Sequence, residues 1–579
     1  MRVKNENKKH YTADFETLVL DEESITKGKP TYVWAWALCD IDNIEDVKYG
    51  TSINTFFTQL EKLRSGSVVY FHNLKYDGQF IIPYLLKNKY TQLSDARKML
   101  PRSYTTLVSE IGIWYNIKVK FQNKKTIEIN DSLKKLPFSV KALAKQLGLP
   151  EQKGEIDYKK YRKEGGILSE EDKDYIRRDV QIVARSLKEI CFSNDLYKMT
   201  IGSDCMNYYK SITPNFKEIF PQLPKEVDEF CRMAYKGGYC YVNPKIQGKK
   251  LTKIIGSTYD YNSMYPSVMH SQSGYRYPIG EGEYYCGNYE IDWLKPLFIQ
   301  HIRASFKLKK GKIPTIQIKN NFSFKENEYI EESLIPVDLY LTKPDYIRFI
   351  EHYDIYSFEA IDGYKFAEMD GLFDEYIDHW YKVKEDATRT GNKVQRLVSK
   401  LFLNNLYGKF ATGTNASKQE FYLDDDGITR HTLIEEEKDG VYVPVGAFIT
   451  AYARKELFDA IQANYDCFCY CDTDSIHLTK PEAKGIKVHD SALGYWKKES
   501  EWAQAKFLRQ KTYAEYIFDP KTNSYNWEYK ACGMNDEVKE NIPDIDAFEV
   551  GATFSGKKLT KRVPGGVVIT ETTFKILPL

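Results

Sequence analysis

Apolar and polar positions along the chain change period several times, from short unbroken apolar runs to stretches at helical spacing. Residues 68–71 (VVYF) and 467–478 are compact apolar runs bounded by polar turn residues, the pattern of buried strands. Residues 254–259 read as another strand with Asp260 at its end, and Asn262 and Ser263 then offer helix N-caps ahead of Pro266 in a first helical turn. Between 391 and 410, Val394, Leu397, Val398, Leu401 and Phe402 recur at steps of three and four and predict the buried stripe of a helix. Lys393, Arg396, Lys400, Asn404 and Tyr407 share another face, and Gly408 is expected to close the helix as a left-handed cap. Residues 421–423, an Asp-Asp-Asp-Gly turn at 424–427 and residues 428–429 predict a β-hairpin. The run 313–318 is also strand-like, while Ser169 with Asp172 predicts a capping box that opens a helix carrying Tyr175 and Asp179 at i, i+4.

Chemistry gathers at the ends of these elements. Asp472 and Asp474 flank Thr473 between two apolar half-runs, a compact way to present oxygens to Mg²⁺ or Mn²⁺, although a lone Asp-Thr-Asp is more often an ordinary turn. Asp260 is a plausible third oxygen donor, or simply a helix cap. The basic stripe of 393–407, ending in an amide and a phenol, suits a triphosphate and a flat base, or else is a solvated face. Near the amino terminus Asp14 and Glu16 lie two apart, hence on one face if that run is a strand; Asp77 follows the apolar strand 68–71, and Asp179 lies on a helix. Four carboxylates beside the phenol of Tyr175 are a set able to hold two metal ions and orient a water for phosphodiester hydrolysis.

Length, composition and charge narrow the class. A chain of 579 residues accommodates about four domains. Its 42% hydrophobic and 28% charged content is that of a soluble globular protein, and no apolar stretch suggests secretion or a membrane span. Net charge is only +2, so the chain is not globally cationic, and any polyanion would be held by local basic surfaces such as Lys557, Lys558, Lys561, Arg562 and Lys575, which face only Glu571 near the end. The ten cysteines lack paired metal spacing; Cys467, Cys469 and Cys471 are expected to share one face of a strand as core residues, and free thiols fit a reducing compartment.

Four motifs in order then carry a resemblance: Asp260-x-x-Ser263-Met264-Tyr265-Pro266, Lys400-x-x-x-Asn404-Asn405-x-Tyr407-Gly408, Tyr470-x-Asp472-Thr473-Asp474-Ser475 and Lys511-Thr512-Tyr513. Together with residues 70–77, 299–319 and 564–568, they resemble family B DNA polymerases, and among them the protein-primed phage branch of the phi-29 type. The resemblance implies an α/β multidomain chain: a ribonuclease H-like 3′–5′ exonuclease domain (1–195) and a right-hand polymerase domain. The latter would comprise palm (196–271 and 442–533), fingers (373–410), thumb (534–579) and two insertions (272–372 and 411–441) that serve protein priming and strand displacement.

Roles follow from the same resemblance. Asp260 and Asp474, with Asp472 beside them, would hold two Mg²⁺ (or Mn²⁺) ions for synthesis. Asp14, Glu16, Asp77 and Asp179 would hold those for trimming, with Tyr175 and Lys153 as further catalytic groups. Tyr265, Lys384, Arg396, Lys400, Asn404 and Tyr407 would bind the dNTP, Tyr265 sensing the sugar. His72, Asn73, Ser132, Leu133, Tyr235, Gly237, Gly238, Lys511 and Tyr513 would contact DNA. Implied partners are template and primer DNA, a separate terminal protein as primer and a single-stranded DNA-binding protein; the implied state is a monomer in the bacterial cytoplasm. Asn405 stands where serine is usual, and Tyr76 where phenylalanine is. A family B enzyme using only nucleic-acid primers, and a nuclease with a DNA-binding second half, are the competing readings.

Overall fold

The computed structural model describes residues 8–149, 160–252, 254–317, 329–413, 415–438, 440–519 and 521–578, and Lys153 lies outside them. Two eight-stranded sheets dominate. The first runs in the order Val47–Gly50, Val33–Asp40, His10–Thr17, Val68–Phe71, Thr126–Asp131, Trp114–Lys120, Ser103–Val108, Thr91–Gln92. At its centre His10–Thr17, Val68–Phe71 and Thr126–Asp131 are parallel, so the ends that carry the acids emerge side by side. The helix Glu170–Ser186 packs across the sheet, its Val180 carbonyl accepting from Thr12 Oγ1 at 2.8 Å.

The second sheet is antiparallel, ordered Ser524–Ala531, Thr512–Asp519, Trp496–Arg509, Gly256–Tyr261, Ser475–Leu478, Phe468–Asp472, Cys240–Val242, with Lys250–Leu251 paired to Trp496–Arg509. The largely buried helix Val443–Ala463 packs against it. Between the two halves of this sheet the chain builds a four-stranded sheet (Tyr277–Cys286, Tyr353–Met369, Leu297–Leu308, Glu332–Thr342) and the helix Lys343–His352. Two hairpins complete the chain: Asn415–Leu423 with Thr429–Glu437, turned at Gly427 (φ 74°) as its Asp-Gly signal predicts, and Thr553–Val563 with Gly566–Lys575.

Several sequence expectations need correction. The strand expected at 254–259 spans Gly256–Tyr261, so Asp260 lies within it. Gly408 does not cap the helix Lys393–Asn405; buried Leu406 and Phe410 extend its apolar stripe and draw the backbone into a further turn, Tyr407–Phe410. Ser263 occupies the N-cap position but in the left-handed region (φ 53°), and its side chain caps nothing. Residues 313–317 form no strand, because Ile313 and Ile316 are drawn into separate cores and leave no pleat. A register shift between Phe468 and Tyr470 rotates the strand, so Cys471 and Cys469 pack into different cores instead of sharing a face. Among the described residues all ten cysteines are free, eight of them buried.

The basic stretch near the end lies on the hairpin Thr553–Val563 with Gly566–Lys575. Lys558 pairs with Glu537 at 2.8 Å. Arg562 reaches Gln79 Oε1 (3.0 Å), the Thr429 carbonyl (3.2 Å) and His431 Nδ1 (3.3 Å), tying the last hairpin to the amino-terminal half and to the other hairpin. Gly566 at its turn is obligatory, since a Cβ there would stand 2.4 Å from the Phe80 ring.

Candidate active sites

Asp260 and Asp474 are brought together by sheet register. Asp260 pairs with Ser475, and Tyr261 N–H donates to the Asp474 carbonyl at 2.7 Å. Thr473 between the two acids is left-handed (φ 61°), which turns Asp472 and Asp474 outward at the end of Phe468–Asp472. The Asp260 carboxyl is pushed up to about 7, first by burial and then by Asp474 and Glu499, with Lys497 and Lys400 opposing. Asp474 is raised too, by burial and by Asp472. Two carboxylates that repel one another in a poorly solvated place fit a divalent cation. Among the described residues no three His, Cys, Asp or Glu side chains form a closed metal cage.

Around this pair lie the remaining residues expected there. Lys511 is left-handed (φ 55°) between two strands; its Nζ sits 3.2 Å from Asp472 Oδ1, and its N–H donates to Tyr470 Oη at 3.0 Å. Tyr513 packs against the Tyr470 ring at 4.9 Å. Arg396, Lys400 and Asn404 are exposed along the helix Lys393–Asn405. Lys384, on the neighbouring helix Asp374–Thr390, has its ammonium lowered by burial and by repulsion from Arg396 and Lys400. Three cations held at mutual cost make a site that a polyanion relieves. Tyr265 and Tyr407 stack beside it.

The Tyr235–Gly238 segment is held against Thr473. Tyr239 O accepts from Thr473 N–H at 2.7 Å, and Gly238 lies so close that a Cβ would stand 2.5 Å from Thr473 Oγ1. Its carbonyls are gripped by Arg454, whose Nη1 donates to Lys236 O (2.7 Å) and Gly237 O (2.9 Å) while its Nη2 reaches both oxygens of Asp345 at 3.0 and 2.8 Å. Burial alone would push the Asp345 carboxyl up, but Arg454, Lys236 and the Thr342 hydroxyl hold it below its ordinary value.

The second acid set sits on the other sheet. Asp14 and Glu16 lie on His10–Thr17, Asp77 in the first turn of Leu74–Lys87, and Tyr175 and Asp179 on Glu170–Ser186, whose capping box forms as the sequence predicts. Asp77 is raised well above its usual value, by burial first and then by Asp14, Glu16 and Asp131. Its Oδ1 is buried with no hydrogen-bond partner among the described residues, a lone pair aimed where a cation fits. Nearby, His72 Nε2 donates to Phe138 O (2.7 Å) and its Nδ1 meets Ser132 Oγ (2.9 Å). Ser132 is fully buried, Leu133 half-buried and Asn73 exposed.

Comparison with known proteins follows this geometry. The family model for DNA polymerase type B, organellar and viral, matches residues 62–174 and 162–492. The chain is 40% identical to the DNA polymerase of Bacillus phage phi29 over 99% of this chain and all of that one, and 40% identical to that of Bacillus phage Nf over 98% and 100%. The chain belongs to the type B DNA polymerases. The Streptococcus phage Cp-1 DNA polymerase is 34% identical over 98% of each chain. Phi29 DNA polymerase solved with primer-template DNA and incoming nucleotide superposes with a TM-score of 0.90 at 39% identity, covering 98% of this chain and all of that one. The fold is thus the multidomain α/β type B architecture with exonuclease and polymerase domains, and the enzyme is a DNA-directed DNA polymerase of the phi29 type.

Two residues that hold these segments in place escaped sequence reasoning. Arg454 carried a weak signal, the first charge after the uncharged run 443–453 of the helix Val443–Ala463. Asp131 carried none: one acid in a polar run looks like any other.

Proposed function

We propose that the chain replicates phage DNA in the bacterial cytoplasm by extending a terminal-protein primer, displacing the non-template strand and trimming errors 3′ to 5′. The segments 1–195, 196–271, 272–372, 373–410, 411–441, 442–533 and 534–579 serve as exonuclease, palm, first insertion, fingers, second insertion, palm and thumb. The observation that supports this reading is the separation of two mutually repelling acid sets onto two sheets: Asp260 with Asp474, and Asp77 with Asp14 and Glu16.

For synthesis, Asp260 and Asp474 hold the cations between primer and nucleotide, and Asp472 orients Lys511. Bound Mg²⁺, or Mn²⁺ in its place, supplies an activated hydroxyl and charge stabilisation at the α-phosphate and leaving pyrophosphate. Lys384, Arg396 and Lys400 neutralise the triphosphate, Asn404 and Tyr407 seat the base, and Tyr265 closes the space where a 2′-hydroxyl would project. Lys511 and Tyr513 hold the primer end, while Tyr235, Gly237 and Gly238 guide the strand between the sites. For trimming, Asp14, Glu16, Asp77 and Asp179 hold the cations and Tyr175 orients water. His72, Asn73, Ser132 and Leu133 shape the place of the 3′ end. Lys153 joins them as a further catalytic group. The hydroxyl that starts replication comes from a terminal-protein side chain, and a single-stranded DNA-binding protein takes the displaced strand; the polymerase acts as a monomer.

Incubation with a candidate terminal protein, labelled dATP and Mg²⁺ tests the reading. A covalent protein–nucleotide adduct supports it. Extension of oligonucleotide primers without any adduct would leave an enzyme restricted to nucleic-acid primers.

A further inference from the structure

The adjacent parallel strands Val68–Phe71 and Thr126–Asp131 end in register, Phe71 opposite Asp131, so the segments after them leave the sheet side by side. Open α/β sheets bind ligands at such carboxyl ends. Here the two segments are cross-bonded in two ways: the Ser132 hydroxyl donates to the Phe71 carbonyl (3.1 Å) and meets His72 Nδ1 (2.9 Å), and one carboxylate oxygen ties the backbones just beyond. Asp131 Oδ1 accepts from Leu133 N–H on its own segment and from Asn73 N–H on the neighbouring one, each at 3.0 Å. The bond to Leu133 is an ordinary Asx turn and needs no functional account. The bond to Asn73 crosses 58 residues and holds an exposed residue in the left-handed region (φ 76°), a conformation that costs energy and turns the Asn73 side chain outward. Asp131 is 1% exposed, and Lys134 Nζ lies 3.5 Å from its other oxygen, so the carboxylate is a buried, charge-assisted acceptor.

We propose that Asp131 is a positioning residue of the trimming site, tying the Asn73 and Leu133 backbones into a fixed cradle for the last nucleotides of a single strand. It rests on the trimming reading above but concerns binding, not the chemical step. The Ser132 bonds hold the strand ends together, while Oδ1 fixes the Asn73 and Leu133 N–H groups against one another, so both residues meet the strand in one arrangement.

Hydrolysis of a single-stranded oligonucleotide, read as KM against kcat, and its binding in EDTA, read by fluorescence anisotropy, test this. Asp131→Ala should raise both KM and Kd roughly tenfold, the scale for losing a charge-assisted bond, while kcat changes by less than about threefold. Asp131→Asn keeps an acceptor oxygen in place and should restore both constants to within about twofold of wild type. A fall in kcat at unchanged KM, or an Asn variant as weak as the Ala variant, would overturn the assignment, since either would mean the charge acts on the chemistry. Asp77→Ala, run in parallel, checks trimming separately: persistent hydrolysis in it removes that reading, and the binding constants still decide Asp131.

Discussion

Tyr265 and Tyr407 stack face to face, ring centroids 3.9 Å apart and planes 17° from parallel, although one belongs to Met264–Met269 and the other to Tyr407–Phe410. The pair joins the acid-bearing sheet to the cation-bearing helix, and burial raises both phenols. On the synthesis reading proposed above, a sugar seated beside Asp260 would rest against this stack.

Removing one ring should therefore open the sugar pocket. Tyr265→Val is expected to lower discrimination against ribonucleotides by about tenfold to a hundredfold, the range for a steric pocket contact. Single-nucleotide incorporation of dNTP against rNTP measures it, and unchanged selectivity would refute the gate.

The two acid sets should separate genetically. Asp260→Ala or Asp474→Ala should abolish nucleotide incorporation and leave 3′–5′ degradation intact; Asp14→Ala with Asp77→Ala should do the reverse. Simultaneous loss of both activities in any one variant would mean that a single centre performs both.

Much of this was legible in the chain because local patterns coincided with tertiary needs. The hairpin at 415–437 announced itself through Asp-Gly, and the helix Glu170–Ser186 through Ser169 and Asp172. Asp260 was found because strand, acid and helix start follow one another. What failed to show was set by distant partners. Gly408 looks like a helix stop until buried Leu406 and Phe410 demand another turn, and alternation of the cysteines held only until a bulge intervened. Asp131 acquires its partner 58 residues away, and Arg454 its partner 109 residues away, from sequence that gives neither a pattern.

Asp260 makes stability depend on pH and metal. Its carboxyl is raised from 3.8 to about 7, so the folded protein binds this proton more tightly than the unfolded chain. The cost of ionising it is absent below pH 4, grows between 4 and 7 and is complete above. Taken in full that is roughly 4 kcal/mol, and about half after allowing for its partial exposure. Asp260→Asn should then be more stable than wild type in EDTA at pH 8, with the difference shrinking as pH falls towards 4. Mg²⁺ should stabilise wild type more than the variant. Thermal unfolding in EDTA and in Mg²⁺ reads both effects.

Arg454 is 4% exposed and serves both Asp345 and the carbonyls of Lys236 and Gly237. Arg454→Ala strands a buried carboxylate, for which about 3–5 kcal/mol is the usual cost. The Arg454→Ala, Asp345→Asn double variant should lose less than the two singles added together, in chemical denaturation. Arg454→Lys keeps the charge without the fork and should still slow synthesis, because a point charge cannot grip two carbonyls and a carboxylate at once.

Adjacent glycines give the sharpest contrast. A methyl group at Gly237 meets nothing within 4 Å, whereas one at Gly238 would stand 2.5 Å from Thr473 Oγ1 and 3.0 Å from its Cβ. Thr473 cannot retreat easily, since its N–H is bonded to Tyr239 O and its left-handed backbone fixes Asp472 and Asp474 on either side. Gly237→Ala should therefore leave the acids undisturbed and lower steady-state synthesis less than Gly238→Ala does. Gly238→Ala should lower it by tenfold or more, on the scale of an ångström-level displacement of catalytic groups. Thr473→Gly relieves the clash and suits the left-handed backbone, so the Gly238→Ala, Thr473→Gly double variant should recover part of the loss. Failure of that double variant to exceed Gly238→Ala in kcat would show that the glycine acts on the strand it guides and not on the acids behind it.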